Sequence, residues 1–431
     1  MEFPALQVAL DFENRKRAYE IAALAVKGGV DIIEAGTALI KSEGMDVLRE
    51  LKRMFPSNPL VADMKIMDTG GFEVELAVKA GADIVGVLGA AADPTITEGI
   101  EAARRYGAKV YGDLISVKDK VARAIELEKL GVDFVCVHIA VDAQMLGEDP
   151  IDELRKVAQA VKIPVMTAGG INSETAARAV EAGASIVIVG GAIIKAKDPE
   201  NAARDIKKAM LTRKAVTTEL HKKFDAAHIR DALLLVSSPN VTDAMHKKGA
   251  MVGIHPHVKH GRKIVGRALT VRTIDGDWAK PVEAIDRAGP NQVIVVDAGG
   301  GTTAVWGELA SHSCKTRGVE GVVIDGAARD IDSILDIDFP VFSKHVVPHA
   351  GDPKGHGEIG VEIKCGGQVV RTGDWIMGDE SGIVVIPQEK IVEIANRAVE
   401  VLERENRLRE EIKKGKTLSS ALELERWEKV G

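Results

Sequence analysis

An α/β chain in two parts, a (β/α)8 barrel of the TIM type followed by a smaller α/β domain, is the fold class this 431-residue sequence predicts. Three observations lead there. A strand-and-helix unit echoes four times across the first half. Apolar residues make up 45% of the chain but aromatics only 3%, so the core is built from Ala, Val, Ile and Leu. Near-continuous runs of that kind suit parallel strands buried on both faces. Past about residue 230 the repeat gives way to short strands separated by glycines.

The echo reads Lys27-Gly-Gly-Val-Asp-Ile-Ile33, then Lys79-Ala-Gly-Ala-Asp-Ile-Val85, then Lys129-Leu-Gly-Val-Asp-Phe-Val135, then Glu181-Ala-Gly-Ala-Ser-Ile-Val187. Each copy predicts a helix closed by a glycine and followed by a buried strand. Gly29, Gly81, Gly131 and Gly183 recur about every 50 residues, or two strand-helix units per period. Four more strands are expected between them, at Leu6–Asp11, Leu60–Lys65, Lys109–Ile115 and Ile163–Ala168. Eight alternating units over about 210 residues point to the barrel. A doubly wound open sheet uses the same alternation, and the repeat alone leaves that choice open.

The barrel is assigned residues 1–212, a linker helix residues 213–229, and the second domain residues 230–431. In that domain strands are expected at Ile264–Thr273, Gln292–Asp297, Val319–Asp325, Val361–Ile363 and Gly382–Ile386. A charged helix from about Gln388 to Lys414 presents Ile391, Ile394, Ala398 and Leu402 for docking. The last segment, with Trp427, is expected to frame a subunit contact or to fray.

In a barrel the strand C-termini form the reactive face. Asp11, Glu34, Asp63 with Lys65, Asp113 and His138 all fall at such ends. Charges ending apolar strands are uncommon unless a polar site lies there. Asp63 and Lys65 share one face of their strand, and Asp68 follows in the loop. A lysine beside carboxylates keeps its proton and offers a fixed cation to a developing oxyanion. Gly169-Gly170 ends strand seven and Gly190-Gly191 ends strand eight, where barrels often bind phosphate on bare amides.

On these residues the first half resembles the orotidine monophosphate decarboxylase superfamily, in its 3-hexulose-6-phosphate synthase branch. Asp63, Lys65 and Asp68 meet the Asp-x-Lys-x-x-Asp signature. Asp11, Glu34-Ala-Gly-Thr37, Leu88-Gly-Ala90 and Ala168-Gly-Gly-Ile171 are also similar to the pattern. The sibling 3-keto-L-gulonate-6-phosphate decarboxylases usually carry Arg in the strand-eight loop and after the strand-six His. Gly190-Gly-Ala192 and His138-Ile-Ala-Val141 stand there instead, so that reading is the alternative. The resemblance implies a reversible aldol addition of ribulose 5-phosphate to formaldehyde. It implies Mg²⁺ or another divalent cation on Glu34 and Asp63, Lys65 as a second positive charge, and His138 as proton carrier. Asp11, Asp113 and the paired glycines would bind substrate. Asp68 would serve the neighbouring subunit's site, implying a barrel dimer.

The second half carries Asp297-Ala-Gly-Gly-Gly-Thr-Thr-Ala-Val-Trp-Gly-Glu-Leu309 and Val323-Ile-Asp-Gly-Ala-Ala-Arg-Asp330. A Gly-rich loop after the strand Val293–Val296, leading into a helix, predicts an anion-binding nest. Arg329 with Asp330 offers a carboxylate clamp and an oxygen ligand for a metal. These segments resemble the RraA-like family, with its class II 4-hydroxy-4-methyl-2-oxoglutarate aldolases. So do Asn240-Val-Thr-Asp-Ala244, Val265-Gly266, Gly373-Asp374 and Asp379-Glu-Ser-Gly-Ile-Val384. The resemblance implies that Arg329 and Asp330 position an enolate and Mg²⁺ while amides near Leu309 take its carboxylate. An acid is wanted three places after Asp330, and Ser333 stands there with Asp332 one place early. Aldol cleavage is weakened by that departure, which leaves oxaloacetate decarboxylation, or an oligomerisation or protein-binding module without turnover. The family is commonly trimeric, so the implied homo-oligomer extends to a trimer or hexamer.

Net charge is −7 with no basic stripe interleaved with aromatics, which argues against nucleic acid. No apolar run nears the roughly 18 residues of a membrane span. Three widely spaced cysteines, Cys136, Cys314 and Cys365, make neither a disulfide framework nor a zinc cluster. With no basic leader, a cytoplasmic location is expected. His255-Pro-His257 and His260 are expected in an exposed loop rather than at a metal.

Overall fold

A computed structural model describes residues 2–218, 221–422 and 424; Trp427 lies outside them. The chain divides into two compact units, Met1–Lys223 with Glu403–Gly431, and Phe224–Leu402. The segment from Glu403 onward therefore groups with the barrel, contrary to the expected boundary, which assigned the whole of 230–431 to the second domain.

In the first unit, strands β1 (Ala5–Leu10), β2 (Ile32–Ala35), β3 (Leu60–Ile66), β4 (Ile84–Leu88), β5 (Lys109–Asp113), β6 (Phe134–His138), β7 (Val165–Ala168) and β8 (Ile186–Val189) close a parallel barrel in sequence order. The return of β8 onto β1, with Ala5 opposite Ile186, excludes the open sheet. Ile32, Val61, Ile84, Phe134, Met166 and Ile186 fill the interior, while alternate residues such as Leu6, Ile33 and Val85 pack under the helices. This two-sided burial is what the apolar runs required.

The four echoing glycines all adopt left-handed φ, from 98° at Gly29 and Gly131 to 106° at Gly81 and 107° at Gly183, as a helix stop requires. The Asp two places later also has a job. Asp31, Asp83 and Asp133 accept the backbone amides of Leu6, Leu60 and Val110 at 2.7, 2.7 and 2.9 Å. These bonds tie the strand beginnings, so the repeated acid belongs to the barrel's stability face, opposite the strand ends that carry chemistry.

The expected linker helix over 213–229 is not formed among the described residues. Arg213 turns left-handed at φ 53° and ends the helix Pro199–Thr212. Beyond it the Val216 amide bonds Ser173 O at 3.1 Å, Ser173 Oγ donates to Val216 O at 2.7 Å, and the Thr218 amide donates to Glu174 Oε1 at 3.0 Å. Those partners satisfy an extended backbone, and the β-branched run Val216-Thr-Thr218 favours that form over a helix. Helix resumes only at Ile229–Leu235.

In the second unit, β9 (His255–His257), β10 (Ile264–Arg272), β11 (Gln292–Asp297), β12 (Ala304–Trp306), β13 (Gly321–Ala328), β14 (Val341–Val346), β15 (Glu358–Ile359), β16 (Ile363–Cys365), β17 (Gln368–Val370), β18 (Trp375–Asp379) and β19 (Gly382–Ile386) follow in order. The main sheet runs β19-β18-β10-β11-β13-β14-β9, with β12 beside β13, β15 beside β10, and β16-β17 as a separate hairpin. Strands β10, β11, β13 and β14 are parallel. His255–His257 is thus an edge strand and not a loop; it pairs with β14, and His257 Nε2 lies 2.9 Å from Ser343 Oγ. The C-terminal helix spans Ile391–Lys413, and Ile391, Ile394 and Ala398 pack with Trp375 and Met377 as its apolar face required.

Candidate active site

Six charged residues meet at the C-terminal ends of the barrel strands. Asp63 and Lys65 end β3, Glu34 lies in β2, Asp113 closes β5, His138 closes β6, and Asp11 follows β1. Lys65 has φ 50°, and the β3–β4 register shifts between Ala62 and Ile66. This kink costs about 1–2 kcal/mol for a residue with a Cβ, and it accompanies the turn of the ammonium toward its neighbours. Lys65 Nζ donates to Asp63 Oδ2 at 2.7 Å and lies 3.8 Å from Asp113 Oδ2.

Asp63 is the hub. Its Oδ2 also accepts Thr37 Oγ1 at 2.8 Å, and its Oδ1 accepts the Tyr111 hydroxyl at 3.1 Å. Tyr111 stands opposite Gly86 in the β4–β5 register, and a Cβ at Gly86 would lie 2.4 Å from its hydroxyl oxygen. The bare glycine is what makes room for the phenol. Asp113 accepts the Ile115 amide at 2.9 Å through Oδ1, while Oδ2 faces His138 Nδ1 at 3.0 Å.

The electrostatics follow from burial and neighbours. Glu34, 5% exposed, is pushed well up by burial and then by the charges of Asp63 and Asp11, although Gln7 Nε2 donates to its Oε2. Burial also raises Asp11, helped by Asp63. Its side chain is open to water in the mouth, yet protein surrounds it on most sides, and that setting poorly supports a second negative charge. Burial alone would lower Lys65, but Asp63, Asp113 and Glu34 outweigh it and raise the ammonium. For Asp113, burial acts upward, and the His138 and Lys65 charges and hydrogen bonds overcome it to hold the carboxyl low. The result is a permanent cation, a permanent anion behind a histidine, and a carboxyl poised to gain a proton or a cation.

Asp68 does not join this group. Its carboxylate is exposed and accepts the Thr69 amide at 2.7 Å, with Met67 and Phe72 exposed beside it. Gly169 and Gly170 follow β7 with φ 108° and 68°; a Cβ on Gly169 would lie 2.6 Å from Ile139 O. Gly190 follows β8 close to Asp11, and Gly191 begins the short helix Gly191–Ile194. The paired glycines therefore flank the mouth as expected. Tyr111 and Gln7 escaped the sequence reading, and Thr37 was read there as part of a motif with no role of its own; the signal for Tyr111 was the glycine opposite it.

In the second unit, Arg329 and Asp330 follow β13. Asp330 is left-handed at φ 59°, its Oδ2 accepts the Glu308 amide at 3.3 Å, and Arg329 Nε lies 3.4 Å from it. Leu309, next after Glu308 in the helix Glu308–Thr316, is 82% exposed. The Gly-rich loop differs from the expected nest. It leads into β12 before any helix, and its Gly299 and Thr303 amides already hold the carboxylates of Asp297 and Asp275 at 3.0 and 2.8 Å. Lys344 Nζ also reaches Asp325 Oδ1 at 3.2 Å, an ion pair without a local sequence signal.

Residues 4–206 match the family model described as Orotidine 5'-phosphate decarboxylase / HUMPS family, and residues 238–385 match the model described as Aldolase/RraA. The chain is similar to the 3-hexulose-6-phosphate synthase of Bacillus subtilis (strain 168), 39% identical over 207 residues, covering 48% of this chain and 98% of that protein. It is likewise similar to that of Mycobacterium gastri, 40% identical over 205 residues, covering 48% and 99%. A solved 3-hexulose-6-phosphate synthase from Salmonella typhimurium is 39% identical, covering 48% of this chain and 99% of that one with a TM-score of 0.47.

Proposed function

We propose a function from one premise: this chain belongs to the orotidine 5'-phosphate decarboxylase / HUMPS family and carries an RraA-like domain besides. It is an enzyme of the lyase kind. The reaction assigned to the barrel is the reversible addition of ribulose 5-phosphate to formaldehyde, giving 3-hexulose 6-phosphate. The single observation that carries this reading is the array Asp63–Lys65–Asp113–His138 at the barrel mouth.

The steps balance on these residues. Asp113 accepts a hydrogen bond from His138 Nδ1, which leaves Nε2 to accept the proton from C1 of the ketose phosphate. The electron pair released becomes an enediolate, and the Lys65 ammonium stabilises its oxygen. C1 then bonds the formaldehyde carbon, and the new alkoxide takes the proton back from His138. Asp113, held ionised, steadies the imidazolium meanwhile. Asp11 would meet substrate hydroxyls, and the amides around Gly169, Gly170, Gly190 and Gly191 would meet the phosphate.

Glu34 and Asp63 would hold a divalent cation: burial first, and the charges of Asp63 and Asp11 next, raise Glu34, and a cation beside it would relieve both. Among the described residues no group of three or more His, Cys, Asp or Glu has metal-binding geometry. The remaining oxygens would come from water and substrate, the manner in which Mg²⁺ is commonly held. Bound there, it would supply Lewis-acid polarisation of the substrate oxygens.

The exposed Met67 and Phe72 beside Asp68 support a barrel dimer in which Asp68 serves the partner's site. For the second domain, Arg329 with Asp330 and the exposed start of the helix at Leu309 support a small oxo-acid site, with Asp330 offering one oxygen to Mg²⁺. A trimeric or hexameric assembly would rest on that domain. Three buried free cysteines support a reducing, cytoplasmic setting, and no helix among the described residues is long and apolar enough to cross a membrane.

The full chain with ribulose 5-phosphate, formaldehyde and Mg²⁺, with and without EDTA, tests the barrel reading. Formaldehyde consumption that EDTA abolishes is expected, and Lys65→Ala should lower it about 100-fold or more. Turnover of 3-keto-L-gulonate 6-phosphate in place of the aldol reaction would overturn it in favour of decarboxylation.

A further inference from the structure

Past the barrel's last helix, residues 216–218 and His221 reach the loops that follow β7 and β8, where the paired glycines lie. Residues 216–218 are bonded to Ser173 and Glu174, in the loop that follows β7. Three residues on, His221 is 7% exposed and its ring rests on the loop that follows β8. A Cβ at Gly191 would lie 2.5 Å from His221 Cε1 and 2.9 Å from Nδ1, so the glycine and the ring are fitted to each other. Glu403 holds His221 from behind. Its Oε1 accepts the His221 amide at 2.6 Å, and its Oε2 lies 3.7 Å from Nδ1, a charge contact longer than a hydrogen bond. That Nδ1 is buried without a hydrogen-bond partner, which a mere packing residue would seldom tolerate. The loop after β7 also closes on the segment, since Asn172 Nδ2 faces His221 O at 3.5 Å.

We infer that His221 is a positioning residue for the phosphate end of the barrel site: held by Glu403 and pressed on Gly191, it fixes the strand-eight loop so that its amides meet a phosphate. The inference rests on the phosphate reading of the paired glycines given above. The family match ends at residue 206, and the similarity to the Bacillus subtilis and Mycobacterium gastri enzymes covers 48% of the chain, so this support belongs to the part of the chain beyond the shared barrel. It acts on a loop whose first residues, Gly190 and Gly191, carry no side chain of their own to hold an anion. A histidine clamped by a half-buried acid supports the loop from outside rather than from within it.

The test uses the full chain and two variants, His221→Ala and Glu403→Gln, with steady-state kinetics and calorimetric binding of inorganic phosphate. In His221→Ala, KM for ribulose 5-phosphate should rise about 3- to 10-fold, the scale of one lost supporting interaction. Phosphate binding should weaken by the same factor, while kcat stays within about twofold. Glu403→Gln, which keeps an acceptor for the His221 amide, should shift both quantities the same way by less. His221→Gln should restore part of the loss. Unchanged KM and unchanged phosphate binding in His221→Ala overturn the inference, as does a fall in kcat at constant KM. A Glu403→Gln chain that matches wild type in both overturns the clamp. A wild-type chain that binds phosphate but turns over no aldol substrate sinks the reaction assigned above and leaves the phosphate comparison to judge His221.

Discussion

His138 Nδ1 lies 3.0 Å from Asp113 Oδ2, and Asp113 is 2% exposed. A buried carboxylate at that distance fixes both the ring's orientation and its tautomer, so the nitrogen facing the mouth is the one without a proton. Asp113→Asn keeps the shape and removes the preference. Activity should fall about 10²- to 10⁴-fold, the usual worth of a well-placed acid-base group. Since Asp113 titrates below its ordinary range in the fold, its contribution to stability is present above that range and is lost as pH falls through the lowered value. Asp113→Asn should therefore flatten the acid limb of a stability-against-pH curve, measured by urea unfolding.

Glu34 should show the opposite sign. Its carboxyl is raised, so the folded chain holds the proton more tightly than the unfolded chain, and stability declines as pH rises from the ordinary value toward the raised one. Glu34→Gln imitates the protonated form while keeping a partner for Gln7. Thermal unfolding should show a higher Tm than wild type at about pH 7.5, with the gap closing near pH 4, and aldol activity should be lost. A Tm gap that does not depend on pH would contradict the electrostatic origin.

Gly86→Ala tests the room made for Tyr111. The new methyl would meet the phenol oxygen at 2.4 Å, forcing it off Asp63. Overpacking of this kind costs about 1–3 kcal/mol, readable as a lower urea midpoint. Pairing it with Tyr111→Phe should give less than the sum of the two single losses, because both break the same bond.

In the second domain, Arg329→Ala should abolish any Mg²⁺-dependent oxaloacetate decarboxylation by the full chain while leaving barrel activity intact. If the wild-type chain shows no such decarboxylation yet assembles into stable oligomers on a sizing column, the domain is a scaffold.

Much of the barrel was legible because every second strand-helix unit announces itself locally, through an apolar run and a helix-stopping glycine, with an acid two places on in three of the four copies. The charged strand ends were legible for a related reason: Asp63, Lys65, Asp113 and His138 contradict the burial of the strands that carry them. Tyr111 was hidden because an aromatic in a buried strand looks like core, and its hydroxyl matters only once β4 and β5 are in register. The segment 213–229 misled because its charge resembles that of the preceding helix, whereas at Val216 and Thr218 the backbone is bonded to Ser173 and Glu174 from a distant loop. The His221–Glu403 contact, across 182 residues, has no local trace at all.

That same separation sets a schedule. At synthesis rates of about 5–20 residues per second, Glu403 emerges on the order of ten to forty seconds after His221. All eight barrel strands have been made by then, so the nascent barrel has time to close with its phosphate end still unlatched. A chain cut before the C-terminal helix would hold every residue of the aldol site and lack the one acid that completes its rim. A stretch made late thus finishes a site begun by a much earlier one.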